Sequence, residues 1–387
     1  MIQIQFLDKS IPDALIPAFS LQPERVLFFY EEGKTERREM YNIRNAIQRR
    51  MPGTEVDFIG IDTTRLTEIR SQVKETLLQY DPKDVLVDIS GGEEYMTASG
   101  LLLCYEHGYT ATYINPASGS ICNAVEENEI CPAVKLGIED YLTAMGLKRR
   151  INHRAEPKPP EFERFTRQAE VLFDNLDRWQ LLYQFLSRYC SAPDCIGFDL
   201  GDEVHYRRAG QDDSDPSDVT AILDSFVENG FLRRISDTSY HFNDSEKEYL
   251  TTFGIWLELY VYIKAQDLFD EVYCGFMIDW DDADRHDTTD NEIDVLAMKD
   301  SAPIFISCKM RKPMPSDIYE VAFLAKRFGG DPARALLATT YDVSRERDLK
   351  MGIYQRFRKM NVGYITVDDF RKKDAMTVFR QAFTWAE

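Results

Sequence analysis

The chain has 387 residues, 44% of them hydrophobic and 12% aromatic, which is enough for two or three domains with their own cores and excludes a disordered protein. Its formal net charge of −20 is the wrong sign for a general nucleic-acid surface. No apolar run approaches the ~20 residues of a membrane span, the start MIQIQFLDKS is not a signal peptide, and the seven cysteines form no CxxC pair, so a cytoplasmic protein with no membrane partner and no zinc cluster is expected.

The charge is uneven. Residues 303–387 hold 16 Lys+Arg against 10 Asp+Glu, a basic segment on an acidic protein. Such a segment suits a local grip on phosphates; surface solubility explains it equally well.

Residues 1–135 alternate strand and helix patterns. Apolar strands are expected at 2–6, 26–30, 55–59, 85–89 and 110–114, with helices ending near Arg50 and covering about 65–80. Continuous apolar strands separated by helices predict a parallel, Rossmann-like α/β sheet covered on both faces. Ligands of such sheets bind beyond the carboxyl ends of the strands. Three loops lie there. The first offers Leu7 and Asp8, the second Tyr30, Glu31, Gly33 and Thr35, and the third Ser90, Gly91, Gly92, Glu94 and Met96. Asn115 follows the fifth strand. Ser90-Gly91-Gly92 leaves a strand and opens a helix, so its N–H groups can meet an anion, or it is a plain strand-to-helix turn. It lacks the GxGxxG spacing of a dinucleotide site.

Residues 136–249 read as a small connector. A linker pattern at 153–163 precedes helices near 165–177 and 180–189, an acidic loop at 212–218, a helix at 219–230 and a short hairpin at 232–235 and 240–242. A helix followed by a hairpin suggests a winged-helix-like unit. The helix carries Asp224 and Glu228 and no Lys or Arg, which favours a spacer over a DNA reader.

Residues 250–387 carry the chemistry. In 254–263, GIWLELYVYI, Glu258 is the one charge on an apolar helix and calls for a partner such as a metal or a lysine. Residues 291–312 predict a β-hairpin with a turn at 299–303. Asp294 lies in its first strand, and Ser307 and Lys309 share a face of the second. A carboxylate and an amine brought together suit metal-assisted phosphodiester hydrolysis. Asp294 and the Cys308 carbonyl would hold Mg²⁺ or Mn²⁺, and Lys309 would steer water and offset developing charge. An ordinary amphipathic hairpin with a solvated Asp and Lys remains the alternative.

Residues 279–294 hold seven Asp and one Glu, Glu292, which shares the strand face of Asp294. A helix over 315–328, with Ser316 as its expected N-cap, places Glu320 in its first turns. Strands at 335–339 and 363–367 and a basic helix end at 355–360 follow. Of the five histidines, only His286, in the acidic stretch, invites a functional role.

Four separated segments carry a resemblance. The SGG loop looks like the signature of CRISPR-associated Rossmann-fold (CARF) domains, with Glu93-Glu94 where that motif continues as Thr-Lys. Asp294 with Ser307-Cys308-Lys309 resembles the PD-(D/E)XK nuclease superfamily, with Ser307 where its pattern has a second carboxylate. The Trp-Leu-Glu helix and the run YEVAFLAKRFGG are similar to their counterparts in the ancillary nucleases of type III CRISPR defence.

The resemblance implies a CARF domain at 1–135, a connector at 136–249 and a PD-(D/E)XK nuclease domain at 250–387. It implies a homodimer that binds a cyclic oligoadenylate, expected to be the four-membered ring, and then cuts RNA or DNA. Glu258, Asp294, Lys309 and Glu320 would be its catalytic residues, with Glu258, Asp294, Glu320 and Cys308 around the metal. Glu320 would replace the carboxylate missing at Ser307. Two rivals remain: a ligand-responsive regulator with an inactive nuclease fold, and a repair or restriction-type nuclease without cyclic-nucleotide control.

Overall fold

A computed structural model describes residues 1–33, 35–150, 156–200, 219–243, 246–279, 290–330, 332–341 and 349–384. The alternating pattern of the first third builds β1 (Ile2–Phe6), α1 (Ile11–Leu21), β2 (Arg25–Glu31), α2 (Arg37–Arg50), β3 (Glu55–Ile61), α3 (Leu66–Leu77), β4 (Val85–Asp88), α4 (Glu94–His107) and β5 (Thr110–Asn115). Two strands beyond those expected, β6 (Ser120–Asn123) and β7 (Glu129–Pro132), extend the sheet. Its order is β3-β2-β1-β4-β5-β6-β7, parallel through β5 and antiparallel after it. The chain winds outward from β1 to β3, then restarts on the other side at β4. The loops after β1 and β4 therefore flank the crevice where doubly wound sheets take ligands.

Residues 136–150, placed with the connector by sequence, span the two larger sheets. α5 (Ile138–Met145) packs on α2, and its Tyr141 hydroxyl bonds the Gly329 carbonyl. β8 (Lys148–Arg150) pairs with a strand of the C-terminal sheet, where Arg150 meets Asp279 at 3.0 Å.

The connector holds α6 (Phe162–Asp174), α7 (Leu176–Tyr189), β9 (Gly197–Asp199), α8 (Thr220–Glu228), β10 (Leu232–Arg234), β11 (Ser239–Phe242) and α9 (Lys247–Thr251). The predicted hairpin gains β9 as a third strand, in the order β10-β11-β9. The acidic loop expected at 212–218 lies outside the described residues. The unit is joined firmly to the C-terminal part: Phe165 packs edge-on against Phe231 and Tyr249, and Trp256 Nε1–H donates to the Tyr249 carbonyl at 2.7 Å.

The C-terminal part comprises α10 (Ile255–Ala265), β12 (Glu271–Asp279), β13 (Asp290–Lys299), β14 (Ala302–Lys309), α11 (Pro315–Gly329), β15 (Arg334–Thr339), α12 (Leu349–Lys359), β16 (Val362–Thr366), α13 (Val367–Lys372) and α14 (Ala375–Thr384). The sheet order is β16-β15-β14-β13-β12-β8. α10 packs with Val295, Ala297, Ile304 and Ile306 in one core, and α11 packs with Leu296, Phe305 and Leu337 in the other. That second core runs unbroken into α1, α2 and α5 of the N-terminal part. No helix among the described residues is long and apolar enough to cross a membrane.

The hairpin turn is tighter than the five residues expected from sequence. Asp300 and Ser301 alone make it, both left-handed, at φ 48° and 67°. Ser301 is buried, and its hydroxyl accepts the Leu136 N–H at 2.9 Å. Ser301→Ala leaves that N–H unpartnered and keeps a strained φ, so about 1–3 kcal/mol of stability should be lost. Ser301→Gly relieves the φ alone and should fall between. Urea-unfolding midpoints of the three proteins check the order; a glycine variant less stable than the alanine variant would contradict it.

Candidate functional site

Two regions collect the residues singled out from sequence. The first lies on the hairpin. β13 and β14 pair from Lys299↔Ala302 as far as Val295↔Ile306, whereas β14 stays paired with β15 as far as Lys309↔Thr339. The strands thus part at Ser307. Asp294 fills the gap: its Oδ2 accepts the Cys308 N–H at 2.6 Å and the Ser307 hydroxyl at 3.2 Å, and Lys309 Nζ lies 3.5 Å away. A backbone donor that has lost its ladder partner needs another acceptor, and an ionised carboxylate is a strong one.

Gly275 on β12 helps to open the site. It sits between the pairs Cys274↔Val295 and Phe276↔Ile293, with φ at 60°. Residues two apart in a strand normally share a face. Here Val295 and Cys274 belong to the core under α10, while Ile293 and Phe276 belong to the core shared with α11. The change of face falls at Asp294. β12 went unread in the sequence, and a glycine inside an apolar strand was the signal for such a bend.

α11 closes the cleft from above. Glu292, Asp294, Ser307, Lys309 and Glu320 line it together with Val321 and Leu324. The structure therefore brings Glu320 to Asp294 and Lys309. Burial works against the Lys309 charge, but Asp294 first and Glu320 next outweigh it and hold the ammonium above its ordinary pKa. Burial, with Asp294 and Glu258 adding to it, pushes the Cys308 thiol well up, so it stays neutral. Glu258 is half-buried in the first turn of α10, against the opposite core, and is not among the residues that line the cleft. Among the described residues no group of three or more His, Cys, Asp or Glu is arranged to hold a metal ion. His286 and most of the acidic run at 279–294 lie outside those residues.

Ser316 is not the helix cap. Pro315 takes the first helical position and Met314 the N-cap, because the Asp317 carboxylate reaches back to the Met314 N–H at 2.7 Å.

The second region is the crevice between β1 and β4. Two of the N–H groups that the sequence offered to an anion are used within the protein. Gly92 N–H donates to Asp8 at 2.9 Å and Ser90 N–H to Asp88 at 3.0 Å, while the Ser90 hydroxyl accepts the Ile114 N–H at 2.8 Å. The glycines answer to packing. A Cβ on Gly91 would sit 2.8 Å from the Phe6 carbonyl oxygen, and one on Gly92, where φ is 94°, would sit 2.3 Å from Phe6 Cβ. Tyr95 OH donates to Glu31 at 2.6 Å, tying the end of β2 to the first turn of α4.

Tyr30, Gly33 and Thr35 lie at the end of β2 and in the loop after it, and Glu94 is exposed at the start of α4. Asn115 Oδ1 accepts the Ala117 N–H at 3.0 Å and shapes the β5–β6 turn. Leu7 and Met96 are buried among core residues, so they support the edge and do not line it. Two acids were missed. Asp88 is 1% exposed, and burial pushes its pKa up to about 6 despite bonds from Thr112 and Ser90. Burial also raises Asp13, with Asp8 adding to it. An aspartate closing an apolar strand was the readable signal for Asp88.

No family model matches the sequence, and no curated protein matches it. Solved structures do. Protein VC1899 from Vibrio cholerae matches with a TM-score of 0.77 at 18% identity, over 100% of this chain and 98% of that one. Can2 from Sulfobacillus thermosulfidooxidans, solved with cyclic tetra-adenylate, matches at 0.66 and 16%, over 100% and 99%. A type III CRISPR defence DNA nuclease activated by cyclic oligoadenylate matches at 0.50 and 16%, over 88% of this chain and 45% of that one. The fold is therefore shared with Can2 and with that nuclease, a Rossmann-like sheet of the CARF kind joined through a connector to a second mixed sheet. The match to VC1899 and to Can2 extends over the whole of this chain.

One ion pair sets the position of Glu320. Arg311 makes two 2.8 Å bonds to Asp317, which is 4% exposed. Burial pushes Asp317 up, but the bonds from Arg311 and the Met314 N–H outweigh it and hold the carboxyl below its usual range. A lowered carboxyl contributes stability above its unfolded pKa and loses it as pH falls through the folded one. Asp317→Asn should cost about 1–3 kcal/mol at neutral pH, with the half-exposed Arg311 partner keeping it modest. The gap to the parent protein should narrow below roughly pH 4. Urea melts across that range check it; a gap independent of pH would contradict the ion pair as the anchor.

Proposed function

We propose that this chain is a metal-dependent phosphodiester endonuclease, gated by a cyclic oligoadenylate and acting as a homodimer in type III CRISPR defence. The observation that carries the reading is the cleft where β13 and β14 part, with Asp294, Lys309 and Glu320 around it. Its side-chain donors are carboxylate and hydroxyl oxygens, the set that suits Mg²⁺ or Mn²⁺. Asp294 and Glu320 would hold the ion, with the Cys308 carbonyl, which leaves the strand on the same side as the N–H bound to Asp294. A bound ion supplies Lewis-acid polarisation of the phosphoryl group. Lys309 is held as an ammonium, so it donates to a phosphate oxygen or the attacking water and is not the general base. Glu258 would act from behind, through the Cys308 strand.

Effector recognition falls to the crevice. Asp8 and Asp13, half-buried at that edge, favour ribose hydroxyls and adenine amines as partners over phosphates. The complete overlap with Can2 supports a cyclic tetra-adenylate. Leu102 and Tyr105, 55% and 78% exposed in the second half of α4, offer an apolar surface to a second copy.

Ser307, standing where the resemblance expects a second carboxylate, favours the rival, a regulator with an inactive nuclease fold. Asp294→Asn separates the two. Cleavage should fall at least about 100-fold, and calorimetric affinity for cyclic tetra-adenylate should be unchanged. Glu320→Ala should lose activity, and adding Ser307→Glu should restore part of it. An Asp294→Asn protein that cuts like the parent overturns the site. A parent protein that binds the ring but never cuts establishes the regulator.

A further inference from the structure

The outer face of α11 carries a feature that the chemistry of the cleft does not use. Tyr319 and Phe323 are 46% and 57% exposed, although both are large apolar rings. They stand at i and i+4 and so lie one above the other on the helix. Glu320, beside Tyr319, lines the candidate cleft. Beyond Phe323 the same face continues with Lys326 and Arg327, both exposed. Along the helix the face runs from Tyr319, with Glu320 beside it, through Phe323 to the two cations, about 12 Å at the rise of a helix.

We propose that this face is a stacking track for a single-stranded nucleic acid, with bases on Tyr319 and Phe323 and the backbone on Lys326 and Arg327. The proposal rests on the nuclease reading of the adjacent cleft and names its substrate class. The net charge of −20 works against holding a polyanion by charge alone. Stacking does not depend on net charge, tolerates any sequence and contributes severalfold or more in affinity per base. It also selects strandedness, because a ring can stack only on a base whose face is not already covered in a duplex. A protein partner fits less well. The apolar part is two side chains wide and ends in two cations, whereas a stable protein interface needs a broad apolar centre. Continuity with the cleft places a strand on the rings in position to be cut.

Binding of fluorescent single-stranded RNA and DNA and of a matched duplex to the full chain tests this with divalent cations chelated, so no cleavage is needed. Tyr319→Ala and Phe323→Ala should each weaken single-strand binding about tenfold, and Phe323→Trp should retain it. Both alanine variants should fold, since the rings are exposed. An oligonucleotide carrying a fluorescent base analogue should be quenched by the parent and not by the double variant. Lys326→Glu with Arg327→Glu should weaken binding and flatten its salt dependence. Unchanged affinity and quenching in the alanine variants would overturn the proposal. So would duplex binding that is equally tight and equally sensitive to them, or a change of oligomeric state with nucleic-acid affinity intact, which would assign the face to a second copy. A parent that stacks single strands but never cleaves them would refute the nuclease reading and leave this one standing.

Discussion

The C-terminal sheet depends on one carboxylate that stands in for a strand. β14 is flanked by β13 and β15 up to Ile306 and by β15 alone beyond it. Asp294 takes over the Cys308 N–H that β13 no longer meets. A hydrogen bond to a charged group contributes about 1.5–3 kcal/mol, so the parting of the strands is held and does not fray. The same oxygen lies beside Ser307 and Lys309. One constraint therefore opens the sheet, fixes the acid and keeps the lysine charged. The pair Arg311–Asp317 then sets α11 over the opening and brings in Glu320.

The central hairpin and the parallel sheet were legible because their side chains follow simple periods. Val26–Phe29 are all buried, as a strand covered on both faces requires. Elements that went unread break those periods. β8 is Lys-Arg-Arg, an edge strand whose Arg149 lies 4.5 Å from the Tyr273 ring centre and so packs without an apolar side chain. α1 carries Pro17 inside the helix, and the hairpin turn uses Asp300 and Ser301 at positive φ where glycine or asparagine is usual.

The site was legible in its residues but not in its geometry. A carboxylate on an apolar helix marks Glu258 as unusual, yet nothing in the spacing says that α10 covers the core opposite α11. The SGG loop invited an anion because glycines free the backbone. Its glycines in fact allow contact with Phe6, and two of its N–H groups serve Asp8 and Asp88. At the edge between β1 and β4 the loop's donors are thus spent on carboxylates of the protein itself. One core joins α1, which begins beside that edge, to Ile293, Phe305 and Val321 around the cleft. Packed contact of this kind would give a shift at the edge a physical route to the cleft if a ligand there bound two arrangements unequally.

The most direct measurement of the central claim is cleavage of labelled single-stranded RNA and DNA by the intact protein with Mn²⁺, in the presence and absence of cyclic tetra-adenylate. The account predicts cutting that depends on both the cyclic nucleotide and the cation. Equal cutting with and without the cyclic nucleotide, or none under any combination while the ring binds, would contradict it.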